Sequence, residues 1–261
     1  MTTMKKLLVV FGALVAVAAI VTVSVLGTIA YLTSSAAVSN VFTIGNVGIT
    51  MTESMVDEDG NKIDDGATQV DTNTYHLVPN KKYTKDPTIT VNANSASSYL
   101  FVLVRNDLEA IAYKSTNIPQ GANPADYMTI ADQMKANGWY PYATASTGTV
   151  YVYAGFTDNG AGEKISNVPT DAVITSEVNS FAENNATAAT VGSGSVEKYK
   201  LFDYFIIDPK ADVSTYGAAK ITLTAVAIQT DGFGTEGTKA AVDAAWAAVK
   251  ETYPYIHTGN S

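Results

Sequence analysis

Short runs rich in β-branched and aromatic residues recur along the chain and constrain its fold more than any other feature. Val, Ile, Thr, Tyr and Phe favour strands, and a series of such runs is typical of two packed sheets. The sequence therefore predicts an all-β fold, an antiparallel β-sandwich. The six clearest runs are 41–53, 88–92, 99–105, 149–156, 199–207 and 220–229.

The run 99–105 (YLFVLVR) is almost continuously apolar, whereas 41–53 alternates apolar with small polar residues. Continuous apolar character indicates a central strand buried on both faces, and alternation indicates a strand buried on one face. Gly45 resets the alternation, which predicts a bulge or kink within 41–53. The polar tract between 88–92 and 99–105 has the length of a hairpin connection, so these two runs are predicted to pair.

Two segments have helical rather than strand periodicity, which predicts two peripheral helices on the sandwich. The first is expected between Pro124 and Gly138, because Asn123 and Pro124 fit the N-cap and first helical position. Its apolar residues at helical spacing are Tyr127, Ile130, Ala131 and Met134. The second is expected over 238–250 and docks an apolar stripe on the sandwich, formed by Val242, Trp246 and Val249.

The N-terminal segment has the features of an export signal. Two lysines are followed by the uncharged stretch 7–30, which ends in small residues. This pattern predicts a signal peptide over 1–30 with cleavage between Ala30 and Tyr31, leaving 31–261 as one secreted domain. A retained membrane anchor is the alternative, because the stretch exceeds the roughly 18 apolar residues of a transmembrane candidate.

The net charge and the cysteine content limit which partners and which covalent or metal links the chain can have. The net charge is −9, and the chain contains no cysteine. An acidic chain lacks the basic patch that phosphate contacts require, so no nucleic acid is expected as a partner. Without cysteine there are no disulfides and no thiolate metal ligands, and stability has to come from packing.

Residues suited to catalysis are scarce. The chain has two histidines, His76 and His257, and neither belongs to an H-E-x-x-H motif. Nucleophile elbows, phosphate loops and dinucleotide fingerprints are also absent from the sequence. We therefore expect a protein that is not an enzyme and has no cofactor.

One acidic tract has partial metal-site spacing. Asp57, Asp59 and Asn61 occupy alternate positions, as the first three ligands of a calcium loop do. Lys62 replaces the glycine of that motif, and Thr68 replaces its final bidentate glutamate. The pattern favours a solvated acidic turn over a metal site and leaves calcium binding open.

Four segments together resemble the TasA and camelysin-like proteins of Gram-positive bacteria. The junction 27–33 (GTIAYLT) is similar to the family's signal-peptide site, and 40–47 (NVFTIGNV) to its first strand. The segment 77–86 (LVPNKKYTKD) is similar to the family's P-G-x-x-x-x-K segment, with asparagine in place of the glycine. The late run 221–229, together with Trp246, is typical of clostridial relatives.

This resemblance implies a jelly-roll sandwich exported by the general secretory route and processed by a SipW-type signal peptidase. It also implies a structural subunit of an extracellular matrix or biofilm fibre at the cell surface. Such a subunit is a homo-oligomer that assembles head-to-tail by donor-strand exchange, with an accessory matrix subunit as a further partner. Camelysin relatives are described as metalloproteases, but the residues above offer no zinc site.

In this scheme the mature N-terminus, 31–40, adds a strand to a neighbouring subunit. Backbone hydrogen bonds would supply affinity, and alternate side chains would set the register. The alternative is that this segment is a short disordered leader. The donor-strand residues are Tyr31, Leu32, Ser34, Ala36 and Val38.

Two other functions remain open from the sequence. A secreted surface adhesin or glycan-binding module would present exposed aromatic side chains to its ligand, and Trp139, Tyr140 and Tyr142 are the candidates. A secreted peptidase is the other, although its catalytic residues are not evident in the sequence.

Overall fold

The computed structural model describes residues 33–34, 39–114, 118–145, 148–158, 164–168, 191–192 and 195–252. Its strands in chain order are β1 (Thr33–Ser34), β2 (Ser39–Ile44), β3 (Ile49–Ser54), β4 (Gln69–Val70), β5 (Tyr75–His76), β6 (Lys82–Thr84), β7 (Thr88–Val91), β8 (Ser98–Asn106), β9 (Trp139–Ala145), β10 (Gly148–Tyr153), β11 (Phe156–Asp158), β12 (Lys164–Ser166), β13 (Glu197–Lys200), β14 (Tyr204–Ile206) and β15 (Ile221–Gln229). The α-helices are α1 (Ile130–Ala136) and α2 (Lys239–Thr252), and short 3-10 helices lie at Asp64–Gly66 and Pro124–Tyr127.

Two main sheets carry the architecture. The larger has the strand order β2-β15-β8-β10-β9, and the smaller has the order β13-β7-β3-β4. The pairs β1-β5, β6-β14 and β11-β12 are short additions. Among the strands described, β2 and β15 run parallel and the other pairs are antiparallel. The predicted all-β sandwich is therefore confirmed, and the jelly-roll connectivity stays a prediction.

Strand β8 lies in the middle of the larger sheet and is buried on both faces. Leu100, Val102 and Val104 pack in the core between the two sheets, with residues of β3, β7 and β15. Tyr99, Phe101 and Leu103 point the other way, into a second core beneath α2. This double burial explains the continuous apolar run and confirms the predicted central strand.

Three predictions about the strands are wrong, two on the extent of a strand and one on pairing. The run 41–53 is two strands in different sheets, because the chain crosses between sheets after Gly45, whose φ of 93° favours glycine. The runs 88–92 and 99–105 do not form a hairpin, since β7 and β8 also belong to different sheets. The run 199–207 divides into β13, which pairs with β7, and β14, which pairs with β6.

The observed helices agree in part with the two that the sequence predicts. The predicted first helix is divided into a 3-10 turn capped by Asn123 and the separate helix α1, which is capped by Thr129. Met128 between them is extended, with ψ of 141°, so the helix does not run through. Helix α2 matches its prediction and buries Val242, Trp246 and Val249 against the larger sheet.

We predict that Trp246→Ala destabilises the fold by about 3–5 kcal/mol, because it leaves a cavity beneath α2. The Trp246 ring lies 5.2 Å from the Phe101 ring, centroid to centroid, and the side chain is 3% exposed. Urea unfolding followed by circular dichroism measures the change. Ala244→Ser on the exposed side of α2 is the control, and an equal loss in both variants would contradict the docking role of Trp246.

Candidate functional site

The N-terminal segment pairs with the body of its own chain through β1. Thr33 lies opposite His76 and Ser34 opposite Tyr75, in antiparallel register. Ser34 is thus the one predicted donor-strand residue that the structure describes. The others, Tyr31, Leu32, Ala36 and Val38, lie outside the described residues, as does the predicted cleavage residue Ala30.

Strand β2 follows this segment and is the terminal strand of the larger sheet. It pairs with β15 over six residues, from Ser39 opposite Leu223 to Ile44 opposite Ile228. Between Val41 and Ile44 its side chains are partly covered: Phe42 and Ile44 pack against the core beneath α2, and Val41 is 38% exposed. No helix in the described part of the chain is long and apolar enough to cross a membrane.

The aromatic residues proposed for a ligand face are buried, so that prediction is wrong. Trp139 and Tyr142 are fully buried, and Tyr140 is 6% exposed. The Trp139 indole donates to the carbonyl of Lys200 at 2.8 Å, and the Tyr142 hydroxyl donates to Asp243 at 2.6 Å. Trp139 belongs to the core between the sheets, and Tyr140 and Tyr142 belong to the core beneath α2. Alternation along a strand shows which side chains share a face, but not whether that face is exposed.

The acidic tract forms a turn in which a carboxylate of the tract accepts hydrogen bonds from the residues that follow it. The Asp57 carboxylate accepts the backbone N–H groups of Asp59 and Asn61 and the Asn61 side-chain amide. These hydrogen bonds, led by the one from the Asn61 backbone, lower the pKa of Asp57. Asp59 forms an ion pair with Lys81. The residues described include no group of three or more His, Cys, Asp and Glu side chains that could hold a metal ion.

A cluster of ionisable and amide side chains is enclosed within the fold, and we call Glu53, Asn73 and Lys85 the buried triad. Lys85 Nζ lies 2.6 Å from Glu53 Oε2, and Asn73 Nδ2 donates to Glu53 Oε1 at 3.0 Å. The side chains of Lys85 and Glu53 are 0% and 1% exposed. One carboxylate therefore holds an amine and an amide, one on each oxygen, away from solvent.

Strand alternation places the two charged residues inside. Glu53 continues the inward phase of Ile49 and Met51 along β3, and all three are buried. Lys85 follows β6 two positions after Tyr83, so it also points inward. The sequence signal for these two residues is that each is a charged residue in phase with buried apolar residues.

Asn73 completes the buried triad from the loop between β4 and β5. Its Oδ1 accepts the N–H of Val56 at 3.0 Å, and its Nδ2 also donates to the carbonyl of Ser54 at 2.9 Å. Each polar atom of the amide thus has a partner of the right kind, which fixes the orientation of the group. Nothing in the local sequence pattern marks Asn73, because the contact comes from a loop.

A second group of polar contacts closes one side of the buried triad. Ser54 donates through its backbone N–H and its hydroxyl to the two oxygens of Asp86, each at 2.8 Å, and Lys62 Nζ lies 2.6 Å from Oδ2. Burial alone would raise the pKa of Asp86, but the hydrogen bonds from Lys62 and Ser54 outweigh it and lower this pKa.

Aromatic rings close another side. Tyr83 stacks on Phe205 with ring centroids 5.1 Å apart, and Tyr75 meets Phe205 edge-on at 5.2 Å. The Tyr75 hydroxyl donates to the carbonyl of Thr84, the residue before Lys85. Burial raises the pKa of Tyr75, reinforced by the negative charges of Glu53 and Asp86. Burial likewise raises the pKa of Tyr83 to about 12.

The enclosure changes the chemistry of the lysine. Burial lowers the pKa of Lys85, because an ammonium loses its hydration, while the attraction of Glu53 opposes this change. A lysine with a depressed pKa is a better nucleophile at neutral pH, and an adjacent carboxylate can accept its proton. The arrangement therefore combines a nucleophile with a base.

Comparison of the chain with protein-family models, with curated proteins and with solved structures finds no match. The resemblance to the TasA and camelysin-like proteins therefore rests on the sequence motifs.

We predict that Lys85→Met lowers the free energy of unfolding by about 3–5 kcal/mol, because it removes the polar partner of the buried Glu53 carboxyl group. The double variant Glu53→Leu, Lys85→Met should recover much of this loss, since neither side chain of the pair then leaves the other buried without its partner. Urea unfolding measures both. Lys198→Met, at an exposed position, is the control; additive losses in the double variant would contradict coupling of the pair.

Proposed function

We propose that the protein is a secreted structural subunit of an extracellular matrix or biofilm fibre, assembled head-to-tail by donor-strand exchange of the mature N-terminus. The observation that carries this proposal is the pairing of Thr33 and Ser34 in β1 with β5, which joins the N-terminal segment to the body of its own chain. A pairing made through the main chain can be remade by the same segment of another copy.

The free energy of the proposed contact between copies has favourable and unfavourable parts. Each backbone hydrogen bond of the pairing contributes about 0.5–1.5 kcal/mol net. The segment 31–38 would add about 1.5–3 kcal/mol for each of Leu32 and Val38 that becomes fully buried between copies. Association costs at least several kcal/mol, so contact between sandwich bodies has to contribute as well.

The geometry of the proposed contact produces a fibre. The donor segment and the acceptor strand β5 are different surfaces of one subunit, so the interface is head-to-tail. A head-to-tail contact that does not close into a ring continues indefinitely. The same two surfaces then repeat along the filament, and one kind of chain is sufficient to build it.

Deletion of 31–38 from the mature protein is expected to leave a folded monomer that forms no filaments, because the donor strand is missing while both sheets remain. Negative-stain electron microscopy and circular dichroism measure the two properties. Deletion of 253–261 is the control of similar length at the other terminus and should leave filaments intact. Filaments from the 31–38 deletion would refute the mechanism.

A disulfide test asks whether the pairing is made between copies. The chain has no native cysteine, so Thr33→Cys and His76→Cys each introduce a single thiol. Mixed under filament-forming conditions and oxidised, the two variants should give a cross-linked heterodimer, since these positions are opposite one another. Thr50→Cys, exposed on β3, replaces His76→Cys in the control mixture. Equal cross-linking in both mixtures would contradict strand exchange.

A further inference from the structure

The buried triad has the groups needed to form a covalent bond between side chains. Lys85 supplies an amine, Asn73 a carboxamide, and Glu53 a carboxylate that contacts both, at 2.6 Å and 3.0 Å. All three side chains belong to buried residues, with Asn73 the most exposed at 6%. A fixed arrangement of this kind makes reaction between two side chains effectively unimolecular.

The amine is prepared to act as a nucleophile. Within the described part of the chain, Lys85 Nζ makes one hydrogen bond, to Glu53 Oε2. An ammonium has three N–H donors and is costly to bury, so enclosure favours transfer of one proton to the carboxylate. The lowered pKa of Lys85 agrees with this direction. The product of the transfer is a neutral amine beside a carboxylic acid.

The amide is prepared to act as the electrophile. The Val56 N–H points at Asn73 Oδ1 from 3.0 Å, where it polarises the carbonyl and would stabilise the oxyanion of a tetrahedral intermediate. Asn73 Nδ2 contacts Glu53 Oε1, so the leaving nitrogen lies beside the group that can protonate it. Each contact therefore supports a different step of acyl transfer.

We propose that Lys85 and Asn73 become joined by an intramolecular isopeptide bond, with Glu53 transferring the proton. Nζ attacks Cγ of Asn73, the Nζ–Cγ bond forms and the Cγ–Nδ2 bond breaks. Glu53 gives its proton to Nδ2, which leaves as ammonia, and takes one from Nζ. The carboxylic acid is thereby restored, and the reaction needs no oxidant, reductant or co-reactant.

The bond would tie the loop before β5 to the residue after β6. Tyr75 of β5 pairs with Ser34, so the cross-link would lie two residues from the strand that receives the N-terminal segment. The proposal does not depend on fibre assembly, since all three residues belong to one chain.

Peptide mapping of the purified full-length protein tests the bond. After denaturation and trypsin digestion, mass spectrometry should find one branched peptide in which 63–81 is joined to 83–105. Its mass should equal the sum of the two peptides less one ammonia, and no cleavage should follow Lys85. Recovery of the two segments as separate peptides, with free 83–85, would overturn the proposal. Loss of ammonia within one unbranched peptide would overturn it too.

Three variants test the assigned roles. Glu53→Gln keeps the shape of the side chain but cannot exchange the proton, so the branched peptide should be lost. Glu58→Gln, at an exposed glutamate, should form it at the wild-type yield. Asn73→Asp should give a branched peptide of the same mass as the wild type, because water leaves in place of ammonia. A branched peptide at full yield in Glu53→Gln would remove Glu53 from the mechanism.

Discussion

The burial of β8 on both faces is the constraint on which the rest of the fold depends. One face requires the smaller sheet and the other requires α2, so a single strand organises three layers. Its neighbours β15 and β10 extend both cores, because their side chains alternate in the same way. A chain without disulfides obtains its stability from this packing.

The buried triad contrasts with this apolar packing. Charged side chains in a sandwich interior lose their hydration, and an ion pair there is seldom more stabilising than apolar residues of similar volume. Glu53, Asn73 and Lys85 compensate one another through specific contacts, and the rings of Tyr75 and Tyr83 lie close by. A buried lysine with a lowered pKa is a candidate for a reactive site, and the proposed bond would convert its amine into an uncharged amide.

The proposed isopeptide bond and the proposed acceptor strand lie in one short region of the chain. Asn73 belongs to the buried triad, and Tyr75 and His76 form the strand that receives the N-terminal segment. A covalent link at Asn73 would hold this acceptor strand in position while its partner exchanges. A rigid acceptor reduces the ordering cost of association. A fibre under tension would also gain from a subunit that cannot extend at this point.

The sequence alone determined the features that depend on local periodicity: the strand runs, the central position of 99–105 and the apolar stripe of α2. Only the tertiary structure decided which strands pair, because a period of two residues shows which face is buried and not which strand is adjacent. For this reason the expected hairpin of 88–92 with 99–105 was wrong. The buried triad was hidden for the same reason, since Glu53 of β3 and Lys85, which follows β6, are distant in the sequence and Asn73 joins them from a loop.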